Sequence, residues 1–197
     1  MKLKMLGLAA MGALILTAAA SSGASATTLE VGGAPATLPL TITASVPPGK
    51  LLLLTNTSGS LGTGNMCAQS HAHGTATTSA NEGRVVTGPL SFLTFGECHI
   101  EGVTVHKPGK LYLEHITGTT NAEVFSEEAE VTVPTTLGLT VNCKTGTGAT
   151  IGTLTGVKTG HATLDVNAVL SCGFVMPTAL LNGTYEVTSP TGLGVSA

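Results

Sequence analysis

The residues of this chain best suited to chemistry are a histidine pair, four cysteines and a few carboxylates. His71-Ala72-His73 sets two imidazoles two residues apart. On a strand such residues project from one face, so both rings can ligate one metal ion. A third ligand would come from His99, His106, His115 or His161, or from Glu97 or Glu101. Against this stands the plainer reading of His71 and His73 as exposed polar residues on a loop anchored by nearby Cys67. Glycosidase chemistry needs two opposed carboxylates, and the pairs on offer are Glu97 with Glu101 and Glu114 with Glu123. The only aspartate, Asp165, sits on the outward side of an alternating run. No Gly-x-Ser-x-Gly elbow occurs to activate a serine. Lys144-Thr145-Gly146-Thr147-Gly148 has the composition of a phosphate-cradling loop without its Gly-Lys-Ser/Thr ending or following helix, so it reads as a β-turn. The expectation is a protein without catalytic residues and without a cofactor, with a metal-binding protein or a secreted hydrolase as alternatives.

Cys67, Cys98, Cys143 and Cys172 are too widely spaced for a zinc site, which brings two cysteines within a few residues of each other. An even number in an exported chain reads as two disulfides. Four cysteines allow three pairings; Cys67–Cys98 with Cys143–Cys172 is favoured because the two loops are of similar length and lie in separate halves. Each would contribute roughly 3–4 kcal/mol by constraining the unfolded chain.

The elements that must position these residues are strands. Leu111, Leu113 and His115 alternate with Tyr112, Glu114 and Ile116; Val131 and Val133 with Glu130 and Thr132. Leu139, Val141 and Cys143 repeat the period, as do Leu164, Val166, Ala168 and Leu170 against Thr163, Asp165 and Asn167. Period-two runs rich in Thr and Val are half-buried strands. Turn clusters separate them, among them Pro47-Pro48-Gly49, Ser58-Gly59-Ser60, Lys107-Pro108-Gly109 and Asn182-Gly183. The spacing predicts an all-β fold of about ten to twelve strands, an antiparallel β-sandwich stapled by two disulfides. It forms one unit or two abutting halves, about 27–125 and 126–197. Phe92 and Phe95 fall in an apolar run and are expected in the core.

At the N-terminus Lys2 and Lys4 precede an apolar run from Met5 to Ala20, and Ala24-Ser25-Ala26 supplies small residues for cleavage. That layout makes 1–26 a secretory signal peptide and 27–197 a secreted or cell-surface domain, with no integral membrane segment once the signal is removed. Residues 27–197 hold six basic residues against eleven acids, which excludes a nucleic-acid footprint. Glu127, Glu128 and Glu130 read as a solvated turn. With no Trp, two Tyr and four Phe, the chain lacks the flat rings that sugars stack on. That scarcity argues against a large ligand groove and leaves room for a shallow polar site only. Exposed strand edges would permit self-association or strand addition by another surface protein.

The stretches Cys143-Lys144-Thr145-Gly146-Thr147-Gly148, Ile151-Gly152-Thr153-Leu154-Thr155-Gly156 and Gly183-Thr184-Tyr185-Glu186-Val187-Thr188-Ser189-Pro190 resemble a group of uncharacterised exported proteins of soil actinobacteria. The segment 88–98 and Gly118-Thr119-Thr120-Asn121 are similar to that group as well. The resemblance implies an exported, disulfide-bonded β protein and carries over no catalytic residue. The function expected is that of a non-catalytic structural or interaction module outside the cytoplasm.

Overall fold

The computed structural model describes residues 26–57, 64–78, 86–174 and 176–197. The expected signal peptide, Ala26 apart, lies outside them, as does the Ser58-Gly59-Ser60 cluster. Among the described residues every regular element is a strand, and no helix is long and apolar enough to cross a membrane.

Two short strands, β1 (Thr28–Val31) and β2 (Ala34–Pro35), come first. Then follow β3 (Leu40–Ser45), β4 (Leu52–Asn56), β5 (Asn65–Ala76) and β6 (Val86–Cys98). The middle of the chain forms β7 (Thr104–Lys107), β8 (Lys110–His115), β9 (Ala122–Glu127) and β10 (Glu130–Pro134). It closes with β11 (Thr140–Lys144), β12 (Ala149–Thr155), β13 (Thr163–Ser171), β14 (Thr178–Ser189) and β15 (Leu193–Ser196).

Several of these are halves of longer staves. β3 and β4 both lie antiparallel between β5 and β14, with Leu40 opposite Ala76 and Leu52 opposite Cys67. β7 runs on into β8, β9 into β10 and β11 into β12, each pair keeping nearly one register against its neighbours. Counted so, eight staves in chain order form an up-and-down barrel, closed where β14 pairs with β3 and β4. The expected sandwich is therefore replaced by a sheet that closes on itself. Alternation cannot separate the two, because a strand in either has one inward and one outward face. The pairing of β14 with β3, between residues over a hundred positions apart, decides it. Closure also removes most of the edges that a sandwich would expose. The boundary between the two suggested halves falls inside β9.

The breaks in the staves have local causes. Pro47 and Pro48 cannot donate to a ladder, so β3 ends before them. Pro108 separates β7 from β8, and Gly109 after it takes φ 85°. A Cβ at Gly109 would stand 2.5 Å from the Glu127 carbonyl oxygen, so only glycine lets the two turns touch. Three breaks, at 108–109, 128–129 and 145–148, fall on adjacent staves at one level. Thr145 N to Ala129 O (3.1 Å) joins the second and third, and Leu90 N of β6 donates to Gly109 O (3.0 Å) at the first.

On β6 a bulge reverses the facing. His73 pairs with Phe92 and Gly74 with Leu90, which leaves Ser91 as an extra residue. Before it Gly88 and Leu90 face inward; after it Leu93 and Phe95 do. Ser91 Oγ donates to the His73 carbonyl at 3.1 Å and fastens the bulge. Phe92 is thus turned out of the barrel, 45% exposed and stacked on His73 at 5.4 Å, contrary to the core position expected of it. Phe95 packs partly buried against the core.

Two apolar clusters fill the ends of the barrel. One gathers Leu29, Val86, Val124, Leu193 and Val195 under a small sheet in which β1 pairs with β15 and β2, forming a lid. The other, around Leu52, Leu54, Val131, Val133 and Met176, lies at the opposite end. There the disulfides Cys67–Cys98 and Cys143–Cys172 join β5 to β6 and β11 to the end of β13. Leu139, expected to point inward with Val141 and Cys143, belongs to the β10–β11 turn and is 46% exposed.

Candidate functional site

Between the two clusters the barrel is not filled. A cavity of about 190 Å³ lies at the level of the stave breaks. It is walled mainly by Ile42, Leu93, Leu111, Ile151, Leu164 and Leu181. Its existence follows from the small residues at inward positions, Ala44, Ala72, Gly74, Gly88, Ala129 and Ala168. An eight-stave barrel is just wide enough for side chains to fill or for one small ligand to enter. Here the side chains are too small to fill it. An apolar void of this size forfeits about 4–5 kcal/mol against a packed core, at the usual cost per unit volume.

Among the described residues no Asp, Glu, Lys, Arg or His lines the cavity. Tyr185 crosses the wall where β3 ends and β4 has not begun. Its hydroxyl stands 2.7 Å from Ser70 Oγ, which donates to the Thr94 carbonyl at 2.6 Å. Val46 N closes the same fork by donating to Ser70 O. Burial pushes the Tyr185 hydroxyl up to about 12, opposed by its bond to Ser70. At the opposite wall Ser126, 3% exposed, faces inward beside Thr145. Ala129 N donates to Thr145 Oγ1 at 3.1 Å, while Ser126 Oγ is 3.5 Å from the same oxygen.

The residues expected to do chemistry lie outside this cavity. His71 and His73 do share the outer face of β5, as a spacing of two requires. His73 is held by Ser91 and Phe92. Three of the four histidines proposed as a third ligand are engaged elsewhere, His106 with Thr132, His115 with the Thr119 carbonyl and His161 with the Val187 carbonyl, and His99 follows β6 at the disulfide end. Among the described residues no three His, Cys, Asp or Glu come close enough to hold a metal ion. Glu97 is bonded to Gln69, and Glu101 lies in the loop after β6. Glu114 and Glu123 are direct cross-strand partners on the outer wall, and neither borders the cavity.

Glu127, Glu128 and Glu130 form a polar belt outside the stave breaks. The Tyr112 hydroxyl donates to Glu127, which holds the phenol above its ordinary range. Asn142 donates to Glu130 at 2.7 Å and Lys144 stands 3.4 Å away, so the Glu130 carboxyl is held below its ordinary range. The Lys144-Thr145-Gly146-Thr147-Gly148 segment joins β11 to β12 as a turn, with Ala149 N bonded to Gly146 O.

Scarcity of aromatic residues bears on the interior as well as on the surface. On a flat surface it removes stacking platforms, but inside a closed barrel it leaves space. The recurrence of Ala and Gly at inward parity was the available signal, and it acquires meaning only once closure is known. Comparison with protein-family models, curated proteins and solved structures finds nothing that matches this chain.

Proposed function

We propose that this is an exported, non-catalytic binding protein whose barrel takes up one small apolar molecule. The observation that carries the reading is the unfilled, uncharged cavity of about 190 Å³. A dry apolar cavity of about 150 Å³ accepts benzene, so the volume here suits a molecule of one or two fused rings or a short branched chain. Export is supported by the leader layout of 1–26 and by two disulfides, which persist in oxidising compartments.

The test uses the mature, oxidised protein and naphthalene. Binding should raise Tm with concentration and shift the fluorescence of the ligand. Ala168→Leu, which fills the cavity from a position only 2% exposed, should abolish binding while keeping or raising Tm. Unchanged naphthalene binding in that variant, or none in the parent protein, would overturn the reading.

A further inference from the structure

Resting on that reading, we infer that the ligand carries one uncharged hydrogen-bonding group, an alcohol, ketone or ester oxygen, which docks on Ser126 and Thr145. The cavity offers few places where a polar atom can be satisfied. At Tyr185 the hydroxyl protons are spent, because Tyr185 donates to Ser70 and Ser70 to the Thr94 carbonyl at 2.7 and 2.6 Å, so nothing there can donate to a ligand oxygen. The opposite wall differs. Ser126 is 3% exposed and points inward from β9, and its contact with Thr145 Oγ1 is 3.5 Å long. Hydroxyl–hydroxyl bonds close at about 2.7–2.8 Å, so this contact is stretched to the edge of the range. Thr145 Oγ1 already accepts from Ala129 N. One hydroxyl proton is taken up by this long contact, and the other is left for an acceptor that a ligand can bring.

Sequence and fold explain why the pair sits there. Ser126 follows Val124 at the same inward parity, yet is a hydroxyl where β9 otherwise buries Ala122 and Val124. Thr145 is the first residue of the break between β11 and β12. The hydrogen bonds across the breaks hold Thr145 against Ala129, and Ser126 meets it through the Thr145 hydroxyl. A buried hydroxyl left without a good partner is costly, and a ligand oxygen placed between them would satisfy it. A charged ligand is disfavoured on the same grounds, since among the described residues no cationic side chain borders the cavity to neutralise a carboxylate.

The experiment measures dissociation constants for naphthalene, 2-naphthol and 2-naphthoate at neutral pH, on the parent protein and on Ser126→Ala and Thr145→Val. Naphthol should gain about tenfold over naphthalene from the added bond. That gain should vanish in Ser126→Ala and shrink in Thr145→Val, with naphthalene still bound by both variants, while naphthoate should not bind; Thr145→Val should also lower Tm, because Ala129 N loses its acceptor. Naphthalene binding with a naphthol preference that survives both substitutions would overturn this inference and leave the binding function standing. Naphthoate binding as tightly as naphthol would do the same. No binding of any of the three would overturn both.

Discussion

The two ends of the barrel are closed by different means. At the lid end the staves are joined by continuous ladders, and the opening is covered by the sheet of β1, β2 and β15, with Leu29, Leu193 and Val195 almost wholly buried beneath it. The lid is tied to the rim by Val195 N to Thr120 O, Val157 N to Leu193 O and His115 N to Thr27 Oγ1. At the other end the ladders thin out. β11 meets β13 through the single pair Lys144 and Ser171, and β7 pairs with β10 while no ladder joins it to β6. Both disulfides are at this end. Cys143–Cys172 thus stands where hydrogen bonds are few, while Cys67–Cys98 fastens the end of the long β5–β6 ladder; hydrophobic plugging suffices at the lid.

Removing Cys143–Cys172 should break this contrast most severely. The double replacement Cys143→Ala, Cys172→Ala should cost about 3–4 kcal/mol, the value for a loop of its size. Amide exchange should accelerate in β7, β10 and β11 and remain slow in β1 and β15. Equal loosening of both ends would show that the disulfide stabilises the barrel as a whole. Leu29→Ala tests the plugged end in return. The residue is 1% exposed, and its truncation should cost about 3 kcal/mol in denaturant unfolding, with faster exchange confined to the lid and its rim.

Tyr185, at the fork between the two regions, gives a smaller effect. Tyr185→Phe should cost about 1 kcal/mol at neutral pH through the lost bond to Ser70. The sign of its pH dependence is fixed by the raised pKa. The folded protein holds the phenol neutral up to about 12, whereas the unfolded chain releases the proton near the ordinary value of about 10. This contribution is therefore complete below about pH 10 and is lost between about 10 and 12, amounting to about 2–3 kcal/mol. The loss should be seen in alkaline unfolding of the parent protein and be missing from Tyr185→Phe.

Strand identity was legible wherever period two was clean. Val131 and Val133 are buried as their alternation requires, and Val166, Ala168 and Leu170 face the interior opposite exposed Asp165 and Asn167. Phe92 escaped because the bulge at Ser91 shifts parity by one, a backbone event set by the pairing with β5. The site escaped for a related reason. Ala44, Ala72 and Ala168 look like ordinary small strand residues until closure sets them around one space, and closure depends on partners far apart in sequence. The histidine pair was legible as a shared face, but nothing near it in sequence tells where the other four histidines fall.

The pairing of Thr28 with Ser196 has a consequence in time. β1 is synthesised long before β15, so the lid strand waits for a partner more than a hundred positions further along. Contacts of such range form late, because the loop they close must be ordered first. Until then the interior of the barrel lies open at that end. Under the proposed binding role, the cavity would be loaded before it is sealed, and a molecule enclosed in this way would leave only as fast as the lid lifts.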